Sequence, residues 1–461
     1  MECRKFIFFL LLQVLLVFSG WSCAEQENYT VLHEPLGQKS SDFQSAQKPA
    51  ANALENNEIA EPNGDLTLRQ VLALTLINNP QLKAFSIETR AAEARELQAG
   101  LWPNPTLDIE VENVGGTGDM SGFKAAETTI GVGQLIELGN KAQKRRKVAS
   151  LEKELAGWDY QAKRLEVLTE AGKTYVELLA KQEKVKLLAE LVGVSEKTHR
   201  SVSQRVEAGK DSPLEKTKAS VTLSGVQLEH KQALQELETA RKLVASFWGN
   251  EQPQFLLAQG QLDAIGDIAE VNDLQQMLVQ NPQLARWGKE IAHDKAALDL
   301  EKSKAISDIS IGAGVKRFSD TDEDAFVFGV SIPFPISDRN QGGRAEALHN
   351  LSKSYQEQKA ARIEVTNQFN QSFTEFSVSL NNIKELQTSI LPGAEEVFEA
   401  STVAYTEGKI DYLNVLDAQR TFFEVKLQYI EALTNYHKAR ADIERLTGQQ
   451  IESKITSTEV K

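Results

Sequence analysis

At 461 residues, with aromatics at 7% and charged residues at 25%, the chain has the composition of long helices rather than of a compact enzyme. A formal net charge of −14 excludes a general nucleic-acid binder, which needs a basic footprint. Cys3 and Cys23 are the sole cysteines, so the body of the chain holds neither a disulfide framework nor a thiolate metal site.

The chain opens on Arg4 and Lys5, an apolar run from Phe6 to Phe18, and then small residues, the layout of a secretory signal peptide over residues 1–24. Ser22-Cys23-Ala24 fits ordinary cleavage after Ala24. The alternative is a lipidated amino terminus at Cys23, for which Gly20 and Trp21 make a poor recognition box. Residues 25–64 are polar and lack apolar periodicity, which predicts a flexible linker. Order is expected from Asp65, with Leu66, Leu68, Val71, Leu72, Leu74 and Leu76 on a helix that Asp65 or Thr67 caps. No later segment has the ~18 consecutive apolar residues of a membrane helix. A membrane-spanning form therefore has to use strands.

Two alternating segments come next. Leu107, Ile109 and Val111 alternate with Asp108, Glu110 and Glu112, and Ile130 and Val132 alternate with Gly131 and Gly133. This period of two predicts a strand pair, with the turn-rich stretch Gly115 to Gly122 as its loop. From Lys141 to about Ala208 no proline interrupts, and Val148, Leu151, Leu155, Trp158, Ala162 and Leu165 step by three and four. At ~1.5 Å per residue that helix is about 100 Å long and must lie along others. A tight turn at Gly209 in "EAGKDSPL" then predicts a returning helix.

The second half repeats the scheme. Ile309, Ile311, Ala313 and Val315 alternate, "RFSDTDED" is the expected loop, and Phe326, Phe328, Val330 and Ile332 alternate in turn. Phe369, Phe373, Phe376, Leu380 and Ile383 step along a helix that Pro392 should kink. Both helical stripes are read as packing seams. Asn79-Pro80 and Asn281-Pro282 lie 202 residues apart, Gly131 and Gly329 198, and the Gly-Lys pairs at Gly209 and Gly408 199, as do Gly249 and Gly448. Four landmarks in one order at one offset predict a tandem duplication. The units are 65–250 and 272–449, joined by a segment 251–271 and followed by a tail 450–461.

Such hairpins suit either a half-buried soluble sheet or a membrane barrel wall, for which about 9–11 residues per strand suffice. The pattern alone slightly favours the first; the secretory signal and flanking helices favour the second. Four strands cannot close a barrel, since about eight is the smallest number, and open edges in lipid leave backbone groups unpaired. Copies of the chain must then share one wall, with the long helices continuing it as a tube.

"WPNPTLDIEVENV" (Trp102 to Val114), "QLIELGNKAQKR" (Gln134 to Arg145), "SIPFPISDRNQGGRAEA" (Ser331 to Ala347) and "GKIDYLNVLDAQRT" (Gly408 to Thr421) resemble the outer-membrane efflux (TolC-type) family. The resemblance covers roughly residues 65–449 and is greatest to the cobalt–zinc–cadmium and copper resistance branch. It implies a mostly α fold with transmembrane β, in which four strands per chain complete a 12-stranded homotrimeric barrel in outer-membrane lipid, continuous with a periplasmic helical tunnel. It also implies a periplasmic adaptor and an inner-membrane pump of the resistance-nodulation-division type as partners.

The family carries acidic rings that constrict the tunnel beyond the second-half turn. Matched from Gly408, Asp417 falls on one ring aspartate, Asn414 stands where the other is usual, and Glu215 occupies the corresponding first-half position. Asn414 weakens the expected charge. The turns with Gly209, Lys210, Gly408 and Lys409 are the expected adaptor contacts, the glycines allowing positive φ. His33, His199, His230, His293, His349 and His437 show no zinc-ligand spacing, and no nucleophile elbow or phosphate loop occurs. We expect no enzymatic activity, no cofactor and no resident metal. The function expected is an exit duct, with heavy-metal cations as cargo; a drug or peptide duct and a secreted coiled-coil scaffold are the alternatives.

Overall fold

The structure is a computed structural model that describes residues 61–266 and 271–448. The expected signal peptide with Cys23, most of the expected linker and the expected tail 450–461 lie outside the described residues. In chain order the elements are β1 (Asp65–Thr67), α1 (Leu68–Asn78), α2 (Pro80–Ala99), β2 (Thr106–Glu112), β3 (Glu127–Ile136), α3 (Lys141–Glu207) and α4 (Pro213–Ser246). There follow β4 (Leu257–Gln259), α5 (Val271–Met277), α6 (Pro282–Lys304), β5 (Ile309–Phe318), β6 (Glu323–Ser331), α7 (Gln341–Glu385), α8 (Leu391–Thr406) and α9 (Tyr412–Thr447).

Asp65 to Thr67 departs from the expected helix. It is a strand that pairs in parallel with β4, Leu66 opposite Ala258. Its partner lies some 190 residues away, beyond the reach of any local periodicity. Thr67 does cap α1, through a capping box with Gln70. Residues 61–64, assigned to the linker by composition, are held in place. Glu61 accepts hydrogen bonds from Trp248 Nε1 at 3.1 Å and Gln254 N at 2.7 Å.

The repeated Asn-Pro pairs do the same work twice. Asn79 Oδ1 accepts from the amides of Gln81 and Leu82, while its Nδ2 donates to Phe247 O at 2.9 Å. Asn281 Oδ1 accepts from Gln283 N at 2.8 Å, and its Nδ2 donates to Leu446 O at 3.0 Å. Each asparagine thus caps the first long helix of its half and ties it to the last helix of the same half. Pro at the first helical position fits because its missing N–H has no partner there.

A single helix of 67 residues, α3, is the spine. It packs against α2, α4, α6 and α9, and α7 packs against α6 and α9. Leu151 and Leu155 of the expected seam are buried, but Val148, Trp158, Ala162 and Leu165 are half-buried, because the helix turns its face among several partners. In the second half Phe369, Phe376 and Ile383 are fully buried in the main core with Val365, Tyr436 and Ile443. Phe376 packs against Tyr436 with ring centroids 4.9 Å apart and the rings tilted by 36°. Phe376→Ala is expected to cost about 3–5 kcal/mol, read as a lowered thermal midpoint of the detergent-solubilised protein. Leu386 to Ile390 form a π-helical turn immediately before Pro392, which sits in the first turn of α8. That extra residue in the turn accommodates the proline ring.

The middle of α3 is stitched to the two-stranded sheet. Tyr175 Oη reaches Leu66 O at 2.7 Å and Gln259 O at 2.5 Å, and Gln182 exchanges two hydrogen bonds with the backbone of Ala258. Burial pushes the Tyr175 phenol up to about 12, so it stays a neutral donor.

Candidate functional site

The second sheet has four antiparallel strands in the order β2-β3-β5-β6. The expected loop "RFSDTDED" is shorter than its composition suggested: Arg317 and Phe318 pair with Asp324 and Glu323, leaving Ser319 to Asp322 as the turn. Register places Leu107 opposite Val132, Ile109 opposite Ile130, Val132 opposite Ala313, and Ala313 opposite Phe328. The alternating apolar residues Leu107, Ile109, Ile130, Val132, Ala313, Val315, Phe326 and Phe328 therefore share one face. On that face Leu107 is 67% exposed, Phe326 78% and Phe328 80%. The opposite face carries Asp108, Glu110, Gly131, Gly133, Gly312, Gly314 and Lys316, the last joined to Glu112 at 2.7 Å and Glu127 at 2.5 Å. A sheet that is apolar on one side, polar on the other and unpaired along β2 and β6 is a fragment of a barrel wall. Among the described residues no helix is long and apolar enough to cross a membrane.

The base of the sheet is locked to the helices across the two halves. Lys141 Nζ donates to Ile306 O at 2.6 Å and Asp308 Oδ1 at 2.7 Å, and Leu138 N donates to the same carboxylate. Asn140 and Asn340 precede α3 and α7 with φ of 57° and 55°, a left-handed geometry that asparagine tolerates. The strands thus turn sharply into both helices.

At the far end of α3 the two Gly-Lys turns meet. Gly209 and Gly408 have φ of 70° and 77°, as expected. Arg205 grips Asp211 with Nε at 2.8 Å from Oδ2 and Nη2 at 3.1 Å from Oδ1, and the Tyr405 hydroxyl donates to Asp211 Oδ2 at 2.6 Å. The Arg205 guanidinium also lies over the Tyr405 ring, 4.7 Å from its centroid, and reaches Thr406 O. The hydrogen bonds from Arg205, chiefly, and Tyr405 hold the Asp211 carboxyl below its ordinary range. Beneath the latch Val202, Ala219, Tyr405, Tyr412 and Val415 form a small core. Sequence reading missed Arg205, Asp211 and Tyr405; the Asp211–Tyr405 contact spans 194 residues.

A model of the family described as outer membrane efflux protein matches residues 71–250 and 274–449. The chain belongs to the outer membrane efflux protein family. This efflux protein is 33% identical over 410 residues, 89% of its length and 96% of the relative's, to the cobalt-zinc-cadmium resistance protein CzcC of Cupriavidus metallidurans. It is 24% identical to the nickel and cobalt resistance protein CnrC of the same organism, covering 68% of this chain and 72% of that one. Among solved structures CusC, whose crystal structures concern folding and transmembrane channel formation, superimposes with a TM-score of 0.73 at 14% identity, covering 93% of this chain and all of that one. The efflux protein is an outer-membrane protein with a helical periplasmic portion, and its family is one of ducts.

Of the residues singled out in its sequence, Lys210 and Lys409 are exposed at the tip, Lys409 paired with Glu407 at 2.6 Å. Asn414 and Asp417 lie three residues apart on the exposed face of α9, opposite the buried Val415, Ala418 and Phe422. Glu215 is half-buried in the first turn of α4; burial first, then the charges of Asp211 and Asp411, push its carboxyl up. Among the described residues no hydrogen bond or ion pair joins these three side chains to one another. The sequence reading did not single out one further group. Glu290, His293 and Asp294 on α6 bring one ligand atom each within 4.8 Å of one another. The set was not legible because a lone histidine among 65 acidic residues gives no distinctive motif.

Proposed function

We propose that this efflux protein is the outer-membrane exit duct of a tripartite pump for divalent heavy-metal cations. It would work as a homotrimer whose three sheets complete a 12-stranded barrel, each chain built of duplicated units 65–250 and 272–449. The open-edged, one-side-apolar sheet at the end of a helix of about 100 Å carries the duct reading. The near full-length likeness to CzcC supports the cargo. The partners are a periplasmic adaptor and an inner-membrane pump of the resistance-nodulation-division type. Deleting the gene is expected to sensitise cells to cobalt, zinc or cadmium, and the purified protein to run as a trimer in detergent. Unchanged metal tolerance would remove the cargo, and a monomer would remove the barrel.

The tip turns supply the adaptor contact. Gly209 and Lys210 with exposed Leu214, and Gly408 and Lys409 with exposed Leu413, present the same donor-plus-leucine pattern twice. Three copies would offer six such knobs.

Asp417, Asn414 and Glu215 form the cation-sensing constriction of the tunnel when three copies bring their exposed α9 faces together. Asp417 is exposed on α9 and makes no ion pair or hydrogen bond through its side chain among the described residues, although Arg420 one turn on lies close enough to feel its charge. Block of bilayer conductance by a trivalent cation is expected to weaken at least tenfold in Asp417→Ala. An unchanged block would discard the ring.

A further inference from the structure

We propose that His293, Glu290 and Asp294 on α6, together with Glu152 on α3, form a binding site for one divalent transition-metal ion between the two halves of the chain. The site stands apart from the tunnel constriction. Measured along either helix it lies roughly 15 Å from the end nearest the membrane sheet.

The spacing i, i+3, i+4 puts Glu290, His293 and Asp294 on one face of α6, and α6 packs that face on α3. His293 Nδ1 is 3.1 Å from Asp294 Oδ1, and His293 Nε2 is 3.5 Å from Glu152 Oε1. One imidazole therefore stands between carboxylates from two helices. A histidine that binds a metal through one nitrogen commonly presents the other to a carboxylate, which fixes its tautomer. His293 Nε2 and Glu290 Oε2 are both shielded from solvent and have no hydrogen-bond partner. Arg286 Nη1 lies 2.9 Å from Glu290 Oε2 without hydrogen-bond alignment, and its Nε is committed to Asp159 at 2.6 Å. Arg286 serves Asp159 and Glu290, while Glu152 and Asp294 beside His293 have no ion pair to a lysine or arginine among the described residues, a negative charge that a divalent cation would offset.

Nitrogen and carboxylate oxygen bind zinc at ~2.0–2.2 Å, so tetrahedral ligands sit about 3.4 Å apart. Binding therefore has to draw the α6 ligand atoms inward from the observed 4.8 Å limit. Imidazole with carboxylates suits Zn²⁺, Co²⁺ and Ni²⁺ better than Mg²⁺ or Ca²⁺, which prefer oxygen ligands throughout. The alternative is a His293 that bridges Asp294 and Glu152 with no metal at all.

The two are separated by titrating the detergent-solubilised full-length protein with Co²⁺, followed by visible absorbance and calorimetry. Wild type is expected to show one saturable site per chain with ligand-field bands, not displaced by excess Mg²⁺. His293→Ala is expected to abolish it, and Asp294→Asn to weaken it about 10–100-fold. Glu399→Gln, at an exposed carboxylate of α8 outside both the ring and this site, should leave it unchanged, which separates a built site from loose binding to surface acids. His293→Gln, which keeps side-chain volume, replaces His293→Ala if that variant does not assemble. Absence of a saturable site in wild type would overturn the proposal, as would a site of equal affinity and spectrum in a folded His293 variant.

Discussion

Gly314→Ala is expected to abolish assembly of the membrane sheet, while Gly312→Ala, two residues away on the same face of β5, leaves it intact. A methyl at Gly314 would stand 2.7 Å from Ile130 O and 2.9 Å from Gly131 Cα, both backbone atoms of the neighbouring strand. No side chain can swing aside to admit it. At Gly312 the same methyl would meet Val132 O at 3.6 Å, an ordinary contact. The strands β3 and β5 join the two halves of the chain, so their separation divides the sheet into two isolated hairpins. Overpacking of this kind costs up to about 3 kcal/mol per copy, and every subunit sharing the wall would bear it. The check is the heat-modifiable mobility of the outer-membrane form on gels, with metal tolerance as the cellular readout. A fully assembled Gly314→Ala protein would mean that the close strand approach has no structural weight.

Asp211→Ala should open the helical tip. The substitution leaves Arg205 without its two-pronged partner and the Tyr405 hydroxyl without its acceptor. Hydrogen bonds to charged groups contribute about 1.5–3 kcal/mol each way, so the local opening free energy should fall by about 2 kcal/mol. Hydrogen exchange at residues 202–216 and 403–413 is expected to rise roughly 30-fold, with residues 365–385 unchanged. Asp211→Glu should recover part of the protection. Equal exchange in wild type and Asp211→Ala would show that the small core beneath holds the turns alone.

The latch also has a defined pH dependence. Asp211 is held below the ordinary carboxylate value of about 3.9. Its stabilising contribution is therefore fully present above that value and lost only as pH falls through the lower folded one. Glu215 has the opposite sign: its raised pKa means that its charge disfavours the folded tip, and acidification relieves that as pH falls through the folded value. Tip protection should consequently persist at mildly acid pH and collapse only below the normal carboxylate range.

Sequence by itself determined the elements whose signal is local. The alternation of Leu107, Ile109 and Val111, the uninterrupted run from Lys141, and the glycines at 209 and 408 each declare their conformation within a few residues, because strand and helix periods and positive φ are properties of short segments. The repeated landmarks were legible for the same reason, each Asn-Pro and Gly-Lys pair being a local device used twice. Tertiary structure decided what depends on distant partners. Asp65 to Thr67 became a strand because β4 arrives beside it, and Asp211 became a latch because Tyr405 stands next to it. His293 acquired carboxylate neighbours because α6 lies on α3. These contacts join residues some 140 to 194 positions apart. Their energies come from hydrogen bonds and charges set by the packing of whole helices, which no window of sequence contains.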